Sequence, residues 1–342
     1  MKTTRRQFVL GSAASLSALT LSRASIVLAE TPAIKISHQF PSGTLTEGDF
    51  RDRLCRKFAA DVTTKTNGAL KFEVYPGSSL MKVNTQFASM RRGALDMSLV
   101  PLSYAGGEVP ETNIGLMPGL VTGYEQAYGW KNAEVGKLLT QVMADKGIVI
   151  VSWIWQAGGV ASRSKPLVSP EDAKGMKVRG GSREMDMILK EAGASVLTLP
   201  SNEIYAAMQT GAMDAGMTSS TSLISFRLEE VSKALTTGRK YAYWFMLEPL
   251  MMSKQVFDKL PKDQQAAIMS VGADLEKFAM ESAKADDIAV ANIYLKAGAK
   301  VSDLDLATVK KWQAIARETA WKDYAAKSES CAKLLAAAIK TL

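Results

Sequence analysis

Apolar and polar positions along the chain form two alternating patterns. Short segments have apolar residues at period two or in a continuous run, which is typical of β-strands, and longer segments have apolar residues at helical spacing. The strand patterns cover residues 34–40, 71–75, 96–100, 148–155, 177–179, 196–199 and 213–217. The helical patterns cover residues 47–64, 83–92, 126–145, 261–297 and 307–339. Strands that alternate with helices predict an α/β protein with largely parallel sheets.

One unit of this pattern occurs twice. Residues 90–97 and 208–215 both follow a strand, a loop and a helix, and both contain the spacing Met-x-x-Gly-Ala-x-Asp. Gly93 and Gly211 suit the left-handed conformation that ends a helix, and the aspartate stands where the next strand begins. The repeat indicates either two similar α/β lobes that face one another or the chance recurrence of a common helix ending. Two lobes would enclose a cleft, which is a frequent place for a ligand site.

The first 29 residues carry a separate pattern, that of an export signal. Arg5 and Arg6 precede a small apolar segment, and the residues before Glu30 predict cleavage after Ala29. The alternative is an N-terminal membrane anchor, but the apolar segment is shorter than the roughly 20 residues of a membrane span. Because a twin-arginine signal directs folded proteins, we expect the mature protein to be exported folded to the periplasm.

Charge and length narrow the class of protein. The 342-residue chain has 42 Lys and Arg against 34 Asp and Glu, and four of the basic residues lie in the predicted signal. The mature protein is therefore only weakly basic. Because no basic cluster is interleaved with aromatic residues, we expect no nucleic-acid partner. The length favours two domains, and no later segment is long and apolar enough to span a membrane.

Residue types that carry catalysis are scarce in this chain. His38 is the only histidine, and the sequence has no Gly-x-Ser-x-Gly, P-loop, Gly-x-Gly-x-x-Gly or haem-attachment motif. The sequence therefore predicts no cofactor and no metal centre, and it favours a binding protein over an enzyme. Paired carboxylates leave a periplasmic hydrolase or lyase as the alternative. A ligand-binding sensor that serves a receptor is a third class.

The chain has two cysteines, Cys55 and Cys331. An oxidising compartment would allow a disulfide between them, which would join the first helix to the C-terminal helical region. Two buried thiols are the other interpretation. We favour the thiols, because sequence spacing does not determine whether two cysteines are connected.

Several motifs, taken together in this order, resemble a family of transport receptors. They lie at residues 75–80, 92–96, 169–179, 193–194, 203–211, 214 and 260–268. The segment 169–179 reads Ser-Pro-Glu-Asp-Ala-Lys-Gly-Met-Lys-Val-Arg. From about residue 34 to the C-terminus, the chain is similar to the solute-binding subunits of tripartite ATP-independent periplasmic (TRAP) transporters, of the DctP type.

The resemblance implies a two-lobe periplasmic-binding-protein fold with mixed, largely parallel sheets. Residues 30–156 and about 245–285 would form the first lobe, and residues 157–244 and about 286–342 the second. Hinge strands would cross between the lobes, and a long helix would run along both. We expect a monomer that closes on a small organic acid and delivers it to small and large integral membrane subunits.

Arg179 is the residue to which the resemblance assigns the carboxylate of the ligand. It ends the Lys-x-Arg strand, and a guanidinium presents a planar fork that matches a carboxylate with two hydrogen bonds. The residues alone would equally fit an arginine solvated at the end of a strand. Arg163 lies a few residues out of register with a second arginine of some relatives. We expect Arg163 at the surface, with a second carboxylate contact as the alternative.

The segment after Asp214 departs from the family, and the departure bears on the ligand. Thr218 and Met217 stand where many relatives have Asn and Glu, and Ser219 follows them. The resemblance therefore implies that these three residues form a pocket wall that is less amide-like and more apolar or hydroxylic.

Aromatic residues cluster where the chain is expected to cross between the lobes. Trp155 and Trp244 would line the cleft there, although core packing is the usual role of tryptophan. His38, Gln39 and Phe40 end the first strand and would face the cleft from the first lobe, with His38 either a polar contact or a structural histidine. These residues suggest a monocarboxylate with an apolar or aromatic body, which would stack against aromatic walls.

Overall fold

The computed structural model describes residues 33–342. The predicted signal, with Arg5, Arg6 and the cleavage site after Ala29, lies outside the described residues. The helices are α1 (Phe50–Lys65), α2 (Val83–Arg91), α3 (Tyr124–Gly129), α4 (Glu134–Asp145), α5 (Arg183–Glu191), α6 (Ile204–Gln209), α7 (Ser220–Ser225), α8 (Lys254–Phe257), α9 (Lys262–Lys296), α10 (Leu306–Glu318), α11 (Ala320–Lys327) and α12 (Glu329–Ile339). Short 3-10 turns lie at Leu102–Ala105, Pro110–Leu116, Trp130–Asn132, Pro170–Ala173, Ser201–Glu203 and Leu228–Val231.

The first lobe is built on a five-stranded sheet. Its strands are β1 (Ile34–His38), β2 (Phe72–Tyr75), β3 (Met97–Leu99), β4 (Ile148–Ser152) and β12 (Leu250–Ser253), in the order β2-β1-β3-β12-β4. β1 pairs in parallel with β2 and β3, whereas β12 pairs antiparallel with β3 and β4. The insertion of β12 from a distant part of the chain confirms that the chain crosses between the lobes and returns.

The second lobe is built on a six-stranded sheet. Its strands are β6 (Gly158–Ser162), β7 (Lys177–Arg179), β8 (Ser195–Val196), β9 (Ala215–Ser219), β10 (Ala234–Thr237) and β13 (Lys300–Asp303), in the order β13-β10-β6-β9-β7-β8. At the crossing, β5 (Trp155–Gln156) pairs with β11 (Met246–Leu247). The α/β prediction is confirmed, but the sheets are more mixed than expected. β6 and β12 each run antiparallel to both of their neighbours.

The repeated sequence unit has the same structural role in both lobes. Gly93 and Gly211 have φ angles of 71° and 78°, the left-handed conformation that ends a helix. After each glycine, the aspartate accepts a hydrogen bond from the backbone of the parallel neighbouring strand. The distances are 2.8 Å from Lys35 N to Asp96 Oδ2 and 2.8 Å from Lys177 N to Asp214 Oδ2. The two lobes therefore share one strand-joining device, which favours a true repeat over a chance one.

Helix α9 is the predicted long helix that runs along both lobes. It spans 35 residues and packs on α1 and β4 of the first lobe and on α7, β10 and β13 of the second. The apolar residues of α9 belong to two different hydrophobic cores. Leu275 is buried with the first sheet, and Tyr294 is buried with the second. Gly272 lies where α9 passes β4, and a Cβ there would stand 2.2 Å from the Val151 carbonyl oxygen.

The structure divides two segments that the sequence pattern suggested as continuous. The helix predicted over residues 126–145 is interrupted at Ala133, whose extended backbone (ψ 171°) begins α4. The strand predicted over 148–155 ends at Ser152, where the chain leaves the first sheet toward β5. Next to these interruptions the chain contacts distant segments, since Trp130 donates to Thr341 and β5 pairs with β11, and local periodicity does not record such contacts.

The last helices of residues 286–342, the segment predicted for the second lobe, have contacts with both lobes. Helices α10 and α11 pack on α5 of the second lobe, as expected. Helix α12 packs both on α11 and on α4 of the first lobe. Just beyond α12, Thr341 Oγ1 accepts a hydrogen bond from Trp130 Nε1 at 3.0 Å. The lobe boundaries remain predictions.

The two cysteines are buried and unpaired, as favoured by the sequence. Cys55 lies in the core under the first sheet. Cys331 belongs to α12 and lies in a different apolar cluster. Within residues 33–342, no helix combines the length and the apolar character of a membrane span.

Substitution of Gly272 by alanine tests the contact between α9 and β4. Alanine normally favours a helix by roughly 0.5–1 kcal/mol over glycine. Here the added Cβ meets backbone, so we expect Gly272→Ala to lower the free energy of unfolding by about 1–3 kcal/mol in urea denaturation. Asn292→Ala, at an exposed position of the same helix, is the control and should change it by less than about 0.5 kcal/mol. A Gly272→Ala protein as stable as the wild type would contradict the close approach.

Candidate functional site

A cavity of about 500 Å³ lies between the two lobes. One wall comes from the loop after β3 and includes Ser103, Tyr104 and Asn113; the other comes from the region between β7 and α6 and includes Asp186 and Leu199. The turn after β3 and the loop after β7 follow the carboxyl ends of their strands, where α/β proteins place ligands. None of the nine predicted site residues lines this cavity directly.

Arg179 stands behind the cavity wall at the end of β7. It is 4% exposed, and its guanidinium donates from Nε to the Leu199 carbonyl at 3.0 Å and from Nη1 to the Met217 carbonyl at 2.6 Å. Nη2 donates to the Tyr104 hydroxyl at 3.0 Å. A guanidinium has five N–H groups. Two of them, one on each terminal nitrogen, have no hydrogen-bond partner among residues 33–342, so this buried cation retains donors for a ligand.

Arg51 is a second buried arginine, and its donors are fully used. Nε and Nη2 bind the two carboxylate oxygens of Asp49 at 2.9 and 2.7 Å, and Nη1 binds Glu248 Oε2 at 3.0 Å. The remaining contacts are to Ser222 Oγ at 3.0 Å and Ser219 Oγ at 3.4 Å. Five donors therefore meet five acceptors. Arg51 is a structural cation, and Arg179 is the arginine available to an acid.

Burial and charge act against each other in this cluster. Burial by itself would lower the pKa of Arg51, but the Asp49 and Glu248 carboxylates outweigh it and raise that pKa. Burial raises the pKa of Glu248 to about 7, although Arg51 and Gln156 favour its ionised form. The charge of Glu248 in the folded protein therefore depends on Arg51.

His38 and Phe40 have structural roles. His38 is fully buried, with Nε2 3.1 Å from Asp52 Oδ1 and with Nδ1 accepting from the Phe40 backbone at 3.2 Å. Because Nδ1 accepts, the proton lies on Nε2. Phe40 stacks on the His38 ring at 5.4 Å and has the Arg51 guanidinium 3.6 Å above it. Neither side chain presents a free group to a ligand, which decides the alternative for His38 in favour of a structural histidine.

Gln39 differs from these neighbours. It is 1% exposed, yet neither its amide nitrogen nor its amide oxygen has a hydrogen-bond partner among the residues that the structure describes. Buried amides are normally paired, because an unpaired buried polar group costs about 1–3 kcal/mol. Gln39 follows β1 at the same sheet edge as the turn that carries Tyr104, so it remains a candidate contact.

The residues predicted on β9 lie beside Arg179 and contact it through the Met217 backbone. The Met217 carbonyl accepts from Arg179, and its sulfur is 3.9 Å from the Tyr243 hydroxyl. Thr218 is buried, with its carbonyl beside Gly158. Ser219 caps α7 by accepting from the Ser222 backbone at 3.2 Å. Met217 and Ser219 therefore contribute to positioning Arg179 and the hinge.

The predicted aromatic walls are core packing. Trp155 is fully buried and meets Trp130 edge to face at 5.2 Å. Trp244 is 4% exposed, with its ring edge against Gly158. Tyr243 stacks on Trp312 at 5.1 Å. These rings lie where the chain crosses between the lobes, but they fill its interior.

Three features of the site were not predicted from sequence. Tyr104 and Asp186 line the cavity, and Ser201 supplies a backbone N–H that binds the Tyr104 hydroxyl at 2.9 Å. Burial raises the pKa of Asp186 to about 6, against the influence of Arg179 and the Gly180 backbone. No motif marks these residues, because they meet only through the fold. Arg163 is exposed, as expected.

Two lobes that enclose a cavity, with an incompletely paired arginine behind it, define a solute-binding receptor. The model of the bacterial extracellular solute-binding protein family 7 (DctP) matches residues 41–328, and the chain belongs to this family. The proteins to which it is similar are receptors of TRAP transporters and not enzymes, which confirms the class predicted from the sequence.

Relatives of this chain match over most of its length. A solute-binding protein of Albidiferax ferrireducens is 74% identical over 318 residues, covering 93% of this chain and 94% of the relative. The C4-dicarboxylate-binding periplasmic protein DctP of Rhodobacter capsulatus is 28% identical over 287 residues, 83% of each. A crystal structure of a TRAP periplasmic solute-binding protein from Rhodoferax ferrireducens, with bound malonate, has a TM-score of 0.89 and 75% identity and covers 90% of this chain and 98% of that one.

Removal of Arg51 tests its structural role. In Arg51→Met, Asp49 and Glu248 lose their common cation, so we expect the free energy of unfolding to fall by about 3–5 kcal/mol at pH 8. A carboxyl group whose pKa is higher in the folded than in the unfolded protein destabilises the folded state at pH values above the unfolded pKa. This destabilisation decreases as the pH falls through the folded pKa, because the group becomes protonated. The loss should therefore be smaller at pH 5.5 than at pH 8.

The control for this measurement is Arg92→Met, at an exposed position, which should change stability by less than about 0.5 kcal/mol. Urea denaturation at the two pH values gives both comparisons. If Arg51→Met lowers the free energy of unfolding by the same amount at pH 5.5 and pH 8, the loss does not come from buried carboxylates that have lost their cation.

Proposed function

We propose that this protein captures a small organic acid between its lobes and delivers it to TRAP membrane subunits. The observation that carries the proposal is Arg179, a buried cation with two unused N–H groups behind a cavity of about 500 Å³. A carboxylate is the acceptor that best matches a guanidinium, because it offers two oxygens in one plane. Hydrogen bonds to charged groups contribute roughly 1.5–3 kcal/mol each, enough to select an acid over a neutral solute.

The acid that we propose is short and polar, of the size of malonate. The 75% identical structure has bound malonate, and the R. capsulatus relative is a C4-dicarboxylate-binding protein. The cavity walls offer polar side chains to such an acid, among them Ser103, Asn113, Ser182 and Thr198, and they also include Tyr104, Met187 and Leu199. The hypothesis of an aromatic or apolar monocarboxylate remains a prediction, and the burial of Trp155 and Trp244 in the core removes its main physical support.

The proposed place of action is the periplasm. The family consists of bacterial extracellular solute-binding proteins, and the signal predicted at residues 1–29 would export the folded chain. We propose that the protein acts there as a monomer whose closed form is recognised by the small and large membrane subunits. Gln39 is proposed as a further ligand contact, because it is buried with an unpaired amide.

Replacement of Arg179 by lysine tests the carboxylate anchor. Arg179→Lys keeps the charge and loses the planar fork, so we expect the dissociation constant for malonate to rise about 10- to 100-fold in isothermal titration calorimetry. Arg163→Lys, at an exposed position, makes the same chemical change and should leave the affinity unaltered. Unchanged affinity in Arg179→Lys would rule out the anchor.

A thermal-shift screen separates the candidate acids. Malonate and succinate should raise the melting temperature, because a ligand that binds only the folded state stabilises it. Benzoate tests the aromatic hypothesis, and glucuronate tests sugar acids. Stabilisation by benzoate but not by malonate would reverse our preference, and stabilisation by glucuronate alone would contradict both interpretations.

A further inference from the structure

Tyr104 places one oxygen atom at the meeting point of two donors from the other lobe. Its side chain extends from the 3-10 turn Leu102–Ala105, which follows β3 of the first sheet. Its hydroxyl accepts from Arg179 Nη2 at 3.0 Å and from the Ser201 backbone N–H at 2.9 Å. Arg179 ends β7 of the second sheet, and Ser201 begins the turn before α6. The contact therefore joins the two lobes across the cavity.

The surroundings of this hydroxyl are those of a carboxylate oxygen. A buried guanidinium N–H and a backbone N–H converge on it, which is a common way for proteins to hold an anion. A phenol is neutral and has a proton of its own, so it accepts these bonds less strongly than an ionised carboxylate would. The donor pair is therefore occupied by a weaker acceptor than it could hold.

Tyr104 also separates Arg179 from the cavity. The cavity is lined by Tyr104, Gly181 and Leu199, whereas Arg179 itself does not line it. Gly181 lies against the guanidinium, because a Cβ there would be 2.8 Å from Nη1. Leu199 covers the Nε side through its carbonyl. Tyr104, Gly181 and Leu199 therefore stand between the cavity and the cation.

We propose that Tyr104 is an internal competitor for Arg179, whose hydroxyl holds the donor pair until a carboxylate oxygen displaces it. This inference rests on the proposed function of Arg179 as the carboxylate anchor. The affinity for an acid then reflects the difference between two sets of hydrogen bonds, one to the carboxylate and one to the phenol. Tyr104 thereby favours strong, ionised acceptors over neutral hydroxyl compounds, which resemble its own group.

The test removes the competing oxygen and keeps the ring. In Tyr104→Phe, we expect malonate to bind about 10-fold more tightly in isothermal titration calorimetry, because one bond to a charged group no longer has to be broken. Amide hydrogen exchange gives a second measurement that needs no ligand. The Ser201 N–H should exchange faster in Tyr104→Phe than in the wild type, since it loses its acceptor.

Tyr205→Phe is the matched control, because the Tyr205 hydroxyl binds Glu230 at 3.0 Å on the exposed face of α6. It should alter neither malonate affinity nor exchange at Ser201. If Tyr104→Phe binds malonate as tightly as the wild type or more weakly, the proposed competition is wrong. Unchanged amide exchange at Ser201 would also contradict it. Failure of the anchor itself is distinguishable, because it would appear as full malonate affinity in Arg179→Lys.

Discussion

The fully paired guanidinium of Arg51 is the interaction on which the arrangement of the lobes depends. It extends from α1 of the first lobe and binds Glu248 at the crossing, 197 residues further along the chain. It also reaches Ser219, 168 residues away, at the start of α7 in the second lobe. Because each partner is buried, the separation of any one of them would leave an unpaired charge or hydroxyl, which is costly away from water. Three distant segments are thereby held in one geometry.

The acceptors that surround each guanidinium explain why the two buried arginines differ. Arg51 and Arg179 are both almost inaccessible to solvent. Arg51 has two carboxylates within hydrogen-bond distance, whereas Arg179 has only carbonyl and phenol oxygens. Asp186 is a carboxyl group that acts on Arg179 without a hydrogen bond, and burial raises its pKa to about 6. Arg179 is therefore less fully compensated than Arg51, and an anion added beside it would be favoured. The position of the acidic side chains, rather than exposure, therefore distinguishes the two arginines.

Local patterns in the sequence predicted much of the fold. The strands at the start of each lobe, the glycine endings at Gly93 and Gly211 and the long α9 all follow from spacing and residue type. The resemblance supplied Arg179. Periodicity could not show that α4 begins anew at Ala133, because the contacts next to that break are with distant segments. Sequence could not identify Arg51 either, since it lies in a helix rich in charged residues and differs from them only by its distant partners.

The prediction of aromatic walls was not supported, for a related reason. Trp155 and Trp244 stand where the chain passes between the lobes, but such a crossing must fill its own interior before it can line a cleft. Burial of a large ring contributes more to stability than exposure in a polar cavity would. The cavity walls combine small or polar residues, among them Ser103, Gly107 and Gly181, with the larger side chains of Tyr104, Met187 and Leu199. Small residues let the lobes approach closely.

The two walls of the cavity are joined by neutral and by charge-assisted hydrogen bonds. Across the cavity, Ser103 Oγ donates to the Gly181 carbonyl at 3.3 Å, and Asn113 Nδ2 donates to Glu184 Oε1 at 2.9 Å. Burial raises the pKa of Glu184 to about 7, which weakens the second bond as a charge-assisted contact. Neutral hydrogen bonds contribute roughly 0.5–1.5 kcal/mol each in net terms. The bond from Arg179 Nη2 to the Tyr104 hydroxyl joins the same two walls at 3.0 Å, and because its donor is charged it contributes more, roughly 1.5–3 kcal/mol. The carboxylate that we propose for Arg179 would therefore act on the strongest of these bonds between the walls.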